Sequence, residues 1–270
     1  MILQCKDVDF AYGENEILKQ ISFTVEPGTF CAILGRNGCG KTTLLHCLNG
    51  ILSADEGTIQ LGERSITGMS PKEIAQHVSL VAQEHMEIFP FKVLDVVVMG
   101  RAPYLGLTDT PSEPDYERAH EALRTLNAES LAGCNFNQIS GGERQIALLA
   151  MALVQASDIM LLDEPTNHLD FKNQYHLLAR IKKLCRTRGI SIVASMHDPN
   201  MTTLFADQVV MIKHGRVFES GSAAEIMTAE HIAKLYDTET EGIEVMPGKQ
   251  FFLPAALINE CNNEANHHHR

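Results

Sequence analysis

Residues 35 to 42 read Gly35-Arg36-Asn37-Gly38-Cys39-Gly40-Lys41-Thr42 and fit the phosphate-loop pattern G-x-x-x-x-G-K-[ST]. The spacing has a chemical reason. Glycines reach positive φ, so consecutive backbone N–H groups can face one anion. The helix that follows presents its unpaired N–H groups and positive dipole end to the same anion. Lys41 adds a point charge for the β- and γ-phosphates of a nucleotide, and Thr42 adds a hydroxyl for Mg2+. The flanks agree with this reading. Thr29 to Leu34 is a short apolar run of the kind a buried strand shows, and Lys41 to Leu52 has helical periodicity. A plain glycine turn with a chance Lys-Thr would require neither flank.

Outward from the loop, short strands and helices alternate. Ile17 to Val25 alternates as a strand and ends at Glu26-Pro27-Gly28, a turn signal; Gly57 to Leu61 and Val78 to Ala82 read as further strands. Residues 84 to 156 change character, with helical spacing through Val93 to Met99, Tyr116 to Leu126 and Ile146 to Val154, and with Pro103, Pro111 and Pro114 as breaks. This predicts a mainly helical insert. The alternation resumes with a strand at Ile159 to Leu162, a helix at Phe171 to Arg188 and a strand at Ile190 to Ser195. Val209 to Ile212 and Val217 to Glu219 then flank a hairpin turn at Lys213-His214-Gly215-Arg216. The pattern predicts an α/β fold with a largely parallel sheet. Residues 1–255 are expected to form one domain, and the polar tail 256–270 to be disordered; His267, His268 and His269 are given no function.

A chain of 270 residues, 44% hydrophobic, can bury a large core. Its 34 acidic against 22 basic residues leave a net charge of −12, which argues against nonspecific nucleic-acid binding and adsorption to an anionic bilayer. Mean hydropathy is −0.07, and no apolar run approaches the ~18 residues of a membrane span. The start, MILQCKDVDF, lacks the basic and apolar segments of a signal peptide. Any membrane association is therefore expected to run through a partner. Seven scattered cysteines without a C-x-x-C read as reduced thiols in a cytoplasmic compartment.

Two more stretches carry chemistry. Ile159-Met160-Leu161-Leu162-Asp163-Glu164 is an apolar strand ending in two carboxylates. Beside a phosphate loop, Asp163 is placed to hold Mg2+ through water, and Glu164 to orient or deprotonate the attacking water. Ile139-Ser140-Gly141-Gly142-Glu143-Arg144-Gln145 contains S-x-x-E, a helix capping box, but a cap needs no paired glycines; Gly141 and Gly142 would let a second phosphate approach closely.

These motifs together resemble the ATP-binding-cassette (ABC) ATPases, whose L-S-G-G-Q signature stands here as ISGGE; Glu143 in place of Gln adds a negative charge there. The resemblance covers about residues 1 to 240. It implies a phosphate-loop core with an inserted helical subdomain and an N-terminal antiparallel β region. It also implies roles. Tyr12 would stack on adenine, although a tyrosine there also suits plain strand packing. Gln83 would sense Mg2+ and the attacking water. Asp170, in Asn167-His168-Leu169-Asp170, would act across a dimer interface, and His197 would contact the γ-phosphate. The nucleotide-binding positions would be Gly35, Asn37, Gly38, Cys39, Gly40, Lys41, Thr42 and Thr43 of one chain, with Ser140, Gly141 and Gly142 of the other. Each ATP would lie between two head-to-tail cassettes in a homodimer.

Residues 88 to 106, IFPFKVLDVVVMGRAPYLG, resemble the corresponding stretch in ATPases of iron-chelate, haem and vitamin B12 importers. The resemblance implies two permease subunits as partners, an external or periplasmic binding protein acting indirectly, and a peripheral place on the cytoplasmic face of the inner membrane. Val93 to Met99 also reads as an amphipathic core helix. Molybdate or tungstate importers and soluble cluster-assembly ABC ATPases are the competing readings. Finally, Cys39, at a helix N-terminus beside Lys41, is expected to be the most reactive thiol.

Overall fold

The computed structural model describes residues 1–82, 90–106, 108–167 and 169–256. Strands β1 (Leu3–Tyr12) and β2 (Asn15–Val25) pair antiparallel, and β3 (Phe30–Leu34) runs into the glycine loop. Helix α1 (Lys41–Leu48) leaves that loop. β4 (Glu56–Leu61) returns to β1, with the short β5 (Arg64–Ser65) beyond it. Then come α2 (Pro71–His77), β6 (Val78–Val81), α3 (Val93–Val98), α4 (Glu113–Thr125), α5 (Gly141–Val154), β7 (Ile159–Leu162), α6 (Phe171–Arg188) and β8 (Ser191–Met196). The chain continues through α7 (Pro199–Phe205), β9 (Gln208–Lys213), β10 (Arg216–Ser222), α8 (Ala223–Ile226), α9 (Ala229–Tyr236) and a hairpin of β11 (Thr240–Met246) and β12 (Lys249–Pro254).

The central sheet has the order β10-β9-β3-β8-β7-β6. All neighbours are parallel except the β10 edge. Its inner strands are apolar and buried on both faces, as a covered parallel sheet requires. Alternation within them separates two cores. Phe30, Ala32, Leu34, Met160 and Leu162 face α5 and α6, whereas Cys31, Ile33, Ile159 and Leu161 face α1 and the four-stranded antiparallel sheet β2-β1-β4-β5. Parallel register places Leu34 beside Met196, Leu162 beside Ala194 and Val81 beside Leu162. The segments following β3, β6, β7 and β8 therefore all leave one edge of the sheet, where α/β folds bind ligands.

The layer between β6 and β7 is helical. Val93, Val96 and Val97 of α3, Ala119 and Leu123 of α4, and Ala147 and Ala150 of α5 share one core. The turn after α3 is stapled to its neighbours. A Cβ on Gly100 would lie 2.2 Å from the Met151 carbonyl, so only glycine permits that approach to α5. Arg101 Nε donates to Asp115 Oδ1 at 2.9 Å and Nη1 to the Val154 carbonyl at 3.3 Å; its guanidinium lies over the Tyr104 ring.

Some boundaries differ from expectation. Helix α1 ends four residues before Leu52, because Gly50, at φ 71°, turns the chain out of the helix. Pro114 does not break a helix; it lies in the first turn of α4, where a missing N–H costs nothing. β1, α2, α7, α9 and the β11–β12 hairpin are additional to the expected elements. Most of the tail 256–270 lies outside the described residues.

Asp115 accepts from the Ser112 hydroxyl and backbone as well as from Arg101. The Ser112 hydroxyl, then the Ser112 backbone, then Arg101 hold its carboxyl down to about 2. Asp115→Ala should lower unfolding stability by about 3 kcal/mol at neutral pH, because it leaves Arg101 half-buried without its partner. A depressed carboxyl stabilises the fold above its unfolded pKa and ceases to as pH falls through the folded one. The wild-type advantage in denaturant titrations should therefore shrink between about pH 4 and pH 2. A pH-independent difference would reduce Asp115 to a packing role.

Candidate functional site

The glycine loop is shaped by contacts that only glycine permits. A Cβ on Gly35 would lie 2.6 Å from the Ile212 carbonyl and 2.7 Å from Cys39 Sγ, while Gly38 (φ 78°) and Gly40 (φ 102°) occupy the left-handed region. Gly40 is the residue before α1, so the loop turns directly into a helix N-terminus. Lys41, only 5% exposed, folds back over the loop. Its Nζ donates to the carbonyls of Gly35 at 2.9 Å and Arg36 at 3.2 Å. Glu164 Oε1 lies 3.9 Å away, an ionic contact too long for a hydrogen bond. The two carbonyls therefore hold the ammonium, and the carboxylate faces it. Thr42 is exposed beside it and Thr43 is buried.

Asp163 and Glu164 leave the buried end of β7 and are tied to β8 by one hydroxyl. Ser195 Oγ donates to Asp163 Oδ1 at 2.6 Å and accepts from the Glu164 backbone N–H at 2.7 Å. Glu164 stands at φ 44°, a conformation costly for a side-chain-bearing residue and typical of functional turns. Asn167 Nδ2 fixes its carboxylate by donating to Oε2 at 2.6 Å. His197 follows β8 directly and is exposed. Gln83 lies outside the described residues.

The end of α9 touches both loops. Tyr236 donates its hydroxyl to the His197 carbonyl at 2.7 Å. Asp237 accepts from Arg36 Nη1 at 3.2 Å and from Lys213 Nζ at 2.5 Å. Ser195, Asn167, Tyr236 and Asp237 were not anticipated from sequence. Ser195 and Asn167 lie within motifs already singled out, but a strand serine and a turn asparagine carry no signal of their own.

The signature forms a separate cluster. Ser140 caps α5, and the Glu143 carboxylate accepts from Ser140 N at 2.9 Å and Ser140 Oγ at 2.7 Å. These bonds hold the Glu143 carboxyl below its usual range. A cap needs Glu or Gln at this position, so the departure at 143 keeps the cap intact. Gly141 faces open space, and Gly142 lies against Asn173 and Leu169. Asp170 caps α6 by accepting from Asn173 N at 2.8 Å. Ser140, Gly142 and Asn173 border a cleft of about 400 Å3 to which no residue of the glycine loop contributes. Tyr12 is exposed, its ring edge-on to Phe10 at 4.9 Å, so its contact in this chain is strand packing.

The donor set suits Mg2+. Thr42 and Asp163 offer hard oxygen ligands, and no group of three His, Cys, Asp or Glu among the described residues could hold a metal alone. Mg2+ needs no such cage, since it keeps waters and phosphate oxygens as ligands. A glycine loop, a lysine facing a carboxylate and a carboxylate pair on one edge of a parallel sheet define a phosphate-loop nucleotide-binding domain.

Comparison with known proteins refines that class. The family model described as "ABC transporter" matches residues 18–167. A "Probable iron chelatin transport ATP-binding protein" of Helicobacter pylori (strain ATCC 700392 / 26695) is 38% identical over 90% of this chain and 96% of its own length. The hemin import ATP-binding protein of Thermobifida fusca is 35% identical over 89% and 84%. Among solved structures, a chain of a metal-chelate type ABC transporter in an inward-facing conformation superposes with a TM-score of 0.82 at 30% identity, covering 93% of this chain and 96% of that one. The chain belongs to the ABC transporter family, as its ATP-binding domain.

The thiol at position 39 departs from expectation. Cys39 is half-buried against the core that faces α1 and the antiparallel sheet, and burial pushes its thiol up more than Lys41 lowers it. The ammonium is committed to the Gly35 and Arg36 carbonyls. Among the described cysteines, Cys134 is the exposed one. Brief alkylation of the native protein followed by mass-spectrometric mapping should label Cys134 well before Cys39. Faster, nucleotide-protected labelling at Cys39 would restore the activated-thiol reading.

Proposed function

We propose that this chain is the ATP-hydrolysing subunit of a membrane importer for a metal chelate, of the iron-chelate or haem kind, and that it works as a homodimer enclosing two Mg2+-ATP. One observation carries the dimer. Lys41 and Glu164 face each other on one edge of the sheet, whereas Ser140 and Gly142 open into a different cleft of the same chain. A head-to-tail pair joins each half-site to its complement. The names of the relatives support the chelate cargo.

In this reading the loop N–H groups receive the phosphates, and Lys41 exchanges its carbonyl contacts for the β- and γ-phosphates. Thr42 and Asp163 hold Mg2+, which supplies charge neutralisation at the phosphates. Glu164, aimed by Asn167, takes a proton from the water that attacks the γ-phosphorus; the bond to the β-γ bridging oxygen breaks, and ADP and phosphate leave. His197 and Gln83 flank the γ-phosphate, Tyr12 the adenine, and Asp170 the partner protomer. Positioning and electrostatics carry most of the catalysis.

Exposed Phe91, Met99 and Tyr104 surround α3 and suit contact with two permease subunits. Among the described residues no helix is long and apolar enough to cross a membrane, so attachment to the cytoplasmic face of the inner membrane would run through those subunits. A binding protein outside would act only indirectly, and the net charge of −12 argues against nonspecific nucleic-acid binding.

Glu164→Gln should separate binding from chemistry. ATPase activity should fall about 100-fold or more, while light scattering should show an ATP-dependent dimer. A variant that stays monomeric with ATP and still turns over would remove both the base and the sandwich. Co-expression with the permease should yield a complex of two ATPase and two permease chains; failure to associate would point to a soluble role.

A further inference from the structure

A cavity of about 700 Å3 lies away from the glycine loop and the signature. It lies between the second half of α6, the end of α7, the start of α8 and the turn that opens β12. Four cationic side chains line it, Lys182, Lys183, Arg186 and Lys249, against one carboxylate, Asp207. That balance is the reverse of the chain as a whole, which is strongly acidic.

The charges are unevenly satisfied. Asp207 is paired with Lys182. Lys249 donates to the carbonyls of Thr203 at 2.9 Å and Leu204 at 2.7 Å, closing the end of α7. Lys183 and Arg186 have no side-chain partner among the described residues. Arg186 also complements the end of α6, as a basic residue in a last turn does, but that role leaves its guanidinium hydrogens free. Burial and, after it, the Lys182 charge push the Lys249 ammonium below its usual range; Asp207 opposes this and Arg186 adds to it.

Thr203 lines the cavity and is 6% exposed, with its Oγ1 buried in the wall. The rest of the wall includes Phe205, Ala206, Ala223 and Met227, which suit an organic body.

We propose that this cavity binds a small organic phosphate, its anionic head on Lys183 and Arg186 and its apolar part against Phe205 and Met227. A guanidinium beside an ammonium suits a multiply charged phosphate better than a single carboxylate. The site is distinct from the phosphate loop.

The test uses the full chain with phenyl phosphate, inorganic phosphate and benzoate as probes, followed by calorimetry and 31P line broadening. Phenyl phosphate should bind more tightly than either of the others. Lys183→Gln with Arg186→Gln, both exposed substitutions that leave the fold intact, should weaken it by about tenfold or more. The double variant should keep an unchanged circular dichroism spectrum. Basal ATP hydrolysis should persist in the double variant. Equal binding by wild type and double variant would place the phosphate on the Lys41 loop and overturn the proposal. Benzoate binding as tightly as phenyl phosphate would overturn the phosphate assignment, and no binding of phenyl phosphate to the wild type would overturn the site.

Discussion

A buried ammonium at the mouth of a helix is the constraint around which this molecule is arranged. Lys41 begins α1, and its charge is held by two carbonyls of its own loop with Glu164 nearby. Burying a cation this deeply is costly unless polar groups meet it. The loop can meet it only because Gly35 accepts the Ile212 carbonyl at a distance no side chain tolerates, and because Gly38 and Gly40 take left-handed backbone. Those glycines, in turn, need the rigid end of β3 between β8 and β9. Two carbonyls and a distant carboxylate are weak partners for an ammonium compared with a polyphosphate, so the arrangement favours exchange for an anionic ligand.

The same edge of the sheet supplies the remaining parts through short hydroxyl links. Ser195 binds Asp163 and the Glu164 backbone at once, so β7 and β8 cannot slide without disturbing both carboxylates. Tyr236 and Asp237, far along the chain, touch the His197 carbonyl and Arg36. The two loops are thus fixed by an element that comes after the sheet has been completed. The signature cap at Ser140 belongs to a different surface, which is why one chain looks like two half-sites.

Legibility from sequence followed the physics. The buried strands β3 and β7 announced themselves because parallel strands covered on both faces are uninterrupted apolar runs, and α6 was read to both ends because Asp170 caps it and Gly189 stops it. Strand β1 was opaque because shifts in its pairing with β2 and β4 break the alternation. The charged residues of the glycine loop were legible as chemistry, but the state of Cys39 was not, because burial, which sequence does not display, outweighs a neighbouring charge. Glu143 is the opposite case: the S-x-x-E spacing predicts the cap that its carboxylate makes with Ser140.

The central claim is that Lys41 is held in readiness for a polyphosphate. Calorimetric titration of Mg2+-ATP into the wild type and into Lys41→Ala tests it most directly. The expected result is clear binding by the wild type and an affinity about 10- to 100-fold lower in the variant, the loss of a charged hydrogen-bond donor. Equal affinities, with both proteins folded, would contradict the account.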